Sequence, residues 1–295
     1  MGMKIDPVCF DSMGVRSMAT LVETRDLRLM IDPAVAVAPR RYGLPPHPKE
    51  LSLLEEFWSK IASSAEECEV IAVTHYHYDH HSSTRFLEEI YRGRIVIVKD
   101  PENMITFSQR GRARIFLEKI KPIAAQIKVA DGKEHVFGGT RLEFSPPVPH
   151  GPNSQLGYVV QLSVKDSEDC FLFTSDVQGF PLEYQVKFVV GKKPQTIFID
   201  GPSTYMLSVN YTVEELEASL RNIRRIIRQA SPSTIVLDHH LLRDLDWRKS
   251  LGTLFEEAEE NAIILESAAE YAGREINQLE ALRYALYKAE STNLN

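Results

Sequence analysis

Residues 69–81 read EVIAVTHYHYDHH. The first six, EVIAVT (69–74), form a short apolar, β-branched run of the kind that makes a buried strand. Immediately after it come His75, His77, Asp79, His80 and His81. A strand end is rigid, so the loop that leaves it can hold ligating side chains in fixed directions at the sheet edge. Imidazole and carboxylate suit zinc, iron or manganese. The spacing lets His75 and His77 close on one ion while Asp79 and His80 turn toward another. A polar turn whose histidines merely face water is the bland alternative. It leaves four ligand-type residues in six consecutive positions, 75–80, without a reason.

The same arrangement, an apolar run ending in one ligand-type residue, recurs along the chain. LRLMI leads to Asp32, RLEFSPPVP to His150, CFLFTS to Asp176, and TIVLD to His239 and His240. Each alone would more often cap a helix or shape a turn. Together, on neighbouring strands, their ends would converge on one edge, where open α/β sheets place their sites.

Around these runs the chain alternates strand-length and helix-length segments, which predicts an α/β layered fold. Residues 18–24 and 27–32 read as a hairpin, and 94–98, 141–145, 157–164, 170–174, 196–200 and 234–238 as further strands. A helix follows Pro48, with Leu51, Leu54, Phe57, Trp58 and Ile61 on one face; another spans 108–121. Thr212 and Glu215 have capping-box spacing and open a third. Two final helices are expected at about 247–272 and 274–290, with Gly273 ending the first. Without a repeat, a low-complexity tract or an evident linker, residues 1–295 read as a single domain.

The composition narrows the function classes. With 34 basic and 41 acidic residues the net charge is −7 and the pI about 5.8, so there is no global positive field for nucleic acid or anionic lipid. Cys9, Cys68 and Cys170 are scattered, without a CxxC pair, which disfavours a disulfide framework and fits a reducing cytoplasm. The N-terminal stretch lacks a signal-peptide layout and no apolar run reaches membrane-span length, so a soluble cytoplasmic protein is expected.

HYHYDH (75–80) resembles the HxHxDH motif of the metallo-β-lactamase superfamily, and His150, Asp176 and His239/His240 stand in the order of its later motifs, with Asp32 at its first. The similarity runs from about 18 to 245; more loosely, the whole resembles an uncharacterised archaeal branch of metal-dependent hydrolases. The resemblance implies a four-layer αββα sandwich of two mixed sheets flanked by helices. It implies that His75, His77 and His150 hold a first ion, that Asp79, His80 and His239 hold a second, and that Asp176 bridges them. Asp32 would fix the ligand loop. Adjacent residues in extended chain point to opposite sides, so only one of His239 and His240 is expected to reach the metal. Arg243, four residues after His239, favours His239 by similarity to ribonuclease Z.

The function so implied is hydrolysis by a metal-bound hydroxide at a dinuclear site, with zinc expected first and iron or manganese as alternatives. Asp79 could orient the water, and Tyr78 or His81 could donate a proton to the leaving group. A phosphoester or phosphodiester is one substrate class and a lactone or thioester the other; the acidic pI disfavours a processive nuclease without excluding nucleic acid. Two other classes remain: a diiron oxidoreductase, whose pattern usually carries Glu where this chain has His77, and a non-catalytic metal-binding member. Arg110, Arg112, Arg114, Lys119 and Lys121, with Arg221, Arg224, Arg225 and Arg228, could steer a phosphate-bearing substrate or simply face water. Residues 38–48 read as a lid or a plain surface excursion.

Overall fold

The computed structural model describes residues 2–292. Six strands form the first sheet in chain order: β1 (Lys4–Phe10), β2 (Met18–Glu23), β3 (Arg28–Ile31), β4 (Val70–Val73), β5 (Ile95–Val98) and β6 (Gln126–Val129). The first three pair antiparallel and the rest parallel. β7 (Glu134–Phe137) and β8 (Thr140–Phe144) begin the second sheet; β9 (Val148–Pro149) and β10 (Tyr158–Val159) form a separate ribbon. β11 (Leu162–Lys165), β12 (Cys170–Phe173), β13 (Thr196–Asp200), β14 (Thr234–Asp238) and β15 (Ile264–Glu266) complete the second sheet, in the order β15-β14-β13-β12-β11-β8-β7. Here β12 to β15 run parallel and the others antiparallel.

Strand periodicity explains how the layers stack. Alternate residues of a strand point to opposite faces. Phe171, Phe173, Phe198 and Val236 join the core between the two sheets, whereas Leu172, Ile197, Ile199, Ile235 and Leu237 join a second core on the other face. Over the first sheet lie α1 (Pro48–Ala65), α2 (Leu87–Tyr91) and α3 (Phe107–Ile120), which bury Phe57, Trp58, Ile61, Tyr91 and Phe116. Over the second lie α4 (Lys187–Lys192) and α5 (Val213–Gln229), then α6 (Trp247–Ser250) and α7 (Leu254–Glu260). They contribute Val189, Ile223, Ile226, Ile227, Trp247 and Leu254. The result is helices, two mixed sheets, helices, as expected. α1 starts at a capping box between His47 and Glu50, and α5 at one between Thr212 and Glu215.

Two sequence expectations are corrected. Residues 157–164 are not one strand: Val160 donates to the Thr74 carbonyl and Gln161 to Ser145 Oγ, so the chain changes partners between β10 and β11. The helix expected at 247–272 is broken at Gly252 and Ala262, both with positive φ, and yields to β15 and the short α8 (Ala268–Tyr271). β15 pairs with β14 on the side away from β13 and so satisfies the backbone groups of that edge. β1 went unread because Pro7 interrupts it; the proline sits on an edge strand at a register shift, where a missing N–H is tolerated.

The final helix, α9 (Leu279–Thr292), decides the status of residues 38–48. Its Arg283 is fully buried, pairs with Glu50 at 2.7 Å, and donates to the carbonyls of Ala38 and Leu44. Tyr287 donates to the Pro46 carbonyl. This loop is a strap anchored by charge and hydrogen bonds rather than a free lid. Among the described residues, no helix is long and apolar enough to cross a membrane.

Candidate metal centre

The site lies where parallel strands of both sheets end. β3 runs into Asp32, β4 into Thr74 and His75, β12 into Ser175 and Asp176, β13 into Asp200, and β14 into His239. Asp32, Ser175 and His239 all have positive φ, at 48°, 56° and 57°. A non-glycine residue in this region costs on the order of 1 kcal/mol, and such residues collect at functional sites. Each one turns the chain sharply off its strand and aims a side chain along the sheet edge.

Asp176 stands at the middle. Its Oδ2 lies 2.9 Å from His150 Nε2, 3.4 Å from His75 Nε2 and 3.5 Å from His239 Nε2, while Oδ1 lies 3.1 Å from His80 Nε2. His75, His77, His150 and Asp176 bring one ligand atom each within 4.8 Å of one another. Asp79, His80 and His239 form a second such group, and Asp176, His239 and His240 a third. Thus the strand-end residues singled out in the sequence meet in one place.

The histidines are held differently. His80 Nδ1 donates to Asp32 Oδ2 at 2.8 Å, and Asp32 also accepts from the Thr74 amide at 2.8 Å and its hydroxyl at 2.6 Å. His239 Nδ1 donates to Asp11 Oδ2 at 2.7 Å, and Arg243 Nε donates to Asp11 Oδ1 at 2.7 Å. His75 Nδ1 meets only hydroxyls, Ser175 Oγ at 3.2 Å and Thr74 Oγ1 at 3.4 Å. His150 Nδ1 has no hydrogen-bond partner. Asp11 was not singled out in the sequence; a strand-then-aspartate pattern exists at VCFD (8–11), but the unread strand concealed it.

These surroundings set the charges. Burial pushes the His75 imidazole down to about 4, with neighbouring His80 adding to it, and burial with His75 and His150 pushes His77 well down. For His80 burial is outweighed by the carboxylates of Asp176 and Asp79, which push it up to about 10. For His239 burial and Arg243 are outweighed by Asp11 and Asp176, and it too rises. Against their own burial, Asp79 and Asp176 are kept ionised chiefly by His80 and His239.

The donor set fits divalent metal. His75 Nε2, His80 Nε2 and Asp176 Oδ1 are buried without a hydrogen-bond partner, because their short separations lack hydrogen-bond alignment. Buried polar atoms left so are costly, and metal ions bound among these donors would satisfy them.

The pair His239 and His240 departs from the extended-chain expectation. A 3-10 turn, His239–Arg243, begins here, so both rings stay buried and turn toward Asp176. His239 Nε2 lies 3.8 Å from Asp79 Oδ2, whereas His240 is tied through Nδ1 to Asp200 Oδ1 at 2.9 Å and borders the cleft. Asp200 therefore orients a site histidine, beyond its hydrogen bond from the Gln178 amide.

A cleft of about 1050 Å³ opens over the centre, bordered by His77, Tyr78, Asp79, Arg112, His240 and Arg243 among others. Tyr78 is 53% exposed there. His81 is not available to it: its ring is buried against Tyr76 and Phe116, Nδ1 is held by the His77 carbonyl, and burial pushes it down to about 4. The expected role of His81 as a proton donor is corrected to a support beneath Tyr78, whose ring lies 5.7 Å away. The arginines of α5 are likewise matched on the protein, Arg224 and Arg228 by Glu257, Arg225 by Glu183 and Arg221 by Glu217. The three cysteines are buried and free, and burial raises their thiols, so they are inert.

The sequence pattern of the metallo-beta-lactamase superfamily matches residues 13–239, and the chain belongs to that superfamily. More particularly, it is 49% identical over 286 residues to a UPF0282 protein of Korarchaeum cryptofilum, covering 97% of this chain and 95% of that one. Among solved structures, the isothiocyanate hydrolase from Delia radicum gut bacteria superposes with a TM-score of 0.51 at 16% identity, covering 86% of this chain and 94% of the other. CmlA, a diiron beta-hydroxylase from Streptomyces venezuelae, gives 0.51 at 16% identity over 90% and 52%. At such identities the likeness concerns the fold.

Proposed function

We propose that this protein is a metal-dependent hydrolase with a dinuclear centre, built on a single domain spanning the chain. His75, His77 and His150 would hold one ion, and Asp79, His80 and His239 the other, with Asp176 between them. The observation that carries this reading is the meeting of all these donors around buried, unpartnered ring nitrogens and a carboxylate oxygen. Two divalent ions, zinc first and iron or manganese as alternatives, supply Lewis acidity and lower the pKa of water toward neutrality. The bond cleaved is a phosphoester or phosphodiester, or a carboxylic ester such as a lactone or thioester.

The chain's own groups have distinct tasks. Asp32 and Asp11 accept hydrogen bonds from the Nδ1–H groups of His80 and His239, which leaves Nε2 as the ligating atom. Asp79 is ionised and 16% exposed, so it can accept a hydrogen bond from an attacking water in the cleft. Tyr78 presents its phenol to the same cleft and is the candidate proton donor for the leaving group.

The test is metal analysis combined with a panel of a phosphomonoester, a phosphodiester, a lactone and a thioester, with His77→Ala as the blank. Turnover of one class, lost with metal in the variant, is the expected result. Undiminished turnover in His77→Ala would overturn the reading.

A further inference from the structure

Most buried or cleft-lining cations near the centre are already matched by the protein's own carboxylates. Arg16 forms two bonds of 2.6 Å to Glu280, Arg243 is held by Asp11, Lys99 by Asp131 and Arg283 by Glu50. Arg112 is different. On the same helix, Arg110 faces Glu102 at 3.8 Å and Arg114 faces Glu118 at 3.9 Å, both outward and exposed. Arg112, between them, is half-buried, borders the cleft and has no acidic partner among the described residues. Among the described residues its one hydrogen bond is a long 3.4 Å contact to the Tyr76 carbonyl. The guanidinium lies 5.0 Å over the ring of Tyr78, the residue between the ligand-type His77 and Asp79. The aromatic face holds the arginine beside the donors, and most of its planar fork of N–H groups is left for a ligand.

We propose that Arg112 is the oxyanion-binding residue of this cleft, so that the substrate carries a phosphate or carboxylate group beside the bond that is cut. The inference rests on the hydrolytic reading above and narrows it: a neutral lactone or thioester without an anionic arm is not the natural substrate. A guanidinium fork matches either oxyanion in a bidentate manner, and a charge-assisted bond formed away from bulk water is among the stronger polar contacts.

Inorganic phosphate and, in a separate arm, acetate are titrated calorimetrically into wild type, Arg112→Ala and Arg112→Lys, each with metal and after chelation. Arg110→Ala is the control, since that residue faces away from the cleft. The expected result is phosphate affinity lower by on the order of ten-fold or more in Arg112→Ala. Arg112→Lys should lie between, Arg110→Ala should match wild type, and melting temperature and metal content should be unchanged. Weakening confined to acetate supports the inference with carboxylate as the group recognised. Equal affinities in wild type and Arg112→Ala for both anions, or no binding of either by wild type, overturn it. Metal content is read in the same samples: absence of metal would count against the hydrolase reading, whereas metal with no Arg112 effect would count against this inference alone.

Discussion

The two halves of the candidate centre are built from similar side chains and differ in what stands behind them. His75 and His150 have hydroxyls or nothing at their outer nitrogens, whereas His80 and His239 each lean on a buried aspartate. In the first half burial pushes the His75 and His77 imidazoles down and so keeps them neutral; in the second, carboxylates push His80 and His239 up and keep them protonated. The first is thus ready to ligate at neutral pH. The second would have to exchange protons for an ion, and an ion bound there would be held by rings oriented by Asp32 and Asp11.

The largest effect that would sharpen this contrast is expected from Asp11→Ala. It strands the Arg243 guanidinium in the interior and removes the support of His239, so a loss of about 3–5 kcal/mol in unfolding free energy is predicted by denaturant titration. Asp32→Asn comes next, with a fall of roughly 10–100-fold in affinity for the second ion and little change in the first, read by competition with a chromophoric chelator. Ser175→Ala should lie at the small end, within about three-fold, because a hydroxyl 3.2 Å from His75 is a weak partner. Equal losses in Asp32→Asn and Ser175→Ala would break the comparison.

Two pH effects follow from the same charges. His80 is pushed up to about 10, so at pH 7 it gives up a proton when the second half fills, and with His239 the release should be on the order of one to two protons per chain. Filling of the first half should release almost none. Calorimetry in buffers of different ionisation enthalpy measures this. Asp11 is held down at about 2, below the ordinary aspartate range, by Arg243 and His239 against its own burial. Its contribution is therefore present above about pH 4 and is lost as pH falls toward 2. In metal-free protein the Asp11 share of this loss should be on the order of 2 kcal/mol, so the Asp11→Asn curve should be shallower than that of wild type across the window by about that amount.

How much of this the sequence could disclose depended on the range of the contact. Strands ending in His75, Asp176 and His239 were legible because each is a continuous apolar run buried on both faces, and because ligand-type residues at their ends are locally conspicuous. The layered fold followed from the same runs. Asp11 was not legible, since its partner lies 228 residues away and its strand is interrupted by Pro7. Neither was the geometry at His239, where a positive φ replaces the extended chain assumed for adjacent histidines. Arg112 looks like Arg110 and Arg114 in the sequence; only packing against Tyr78 and the lack of an acidic partner among the described residues separate it from them. The break of the 247–272 helix was not legible either, because the pairing of β15 with β14 is a long-range contact that a local helical pattern does not reveal.

We propose that these donors form two metal sites, with His239 and not His240 completing the second. Equilibrium dialysis of stripped protein against zinc at pH 8, with metal per chain determined by mass spectrometry, tests it directly. The prediction is two ions in wild type and in His240→Ala, and one in His239→Ala. One or none in wild type, or two retained in His239→Ala, would contradict it.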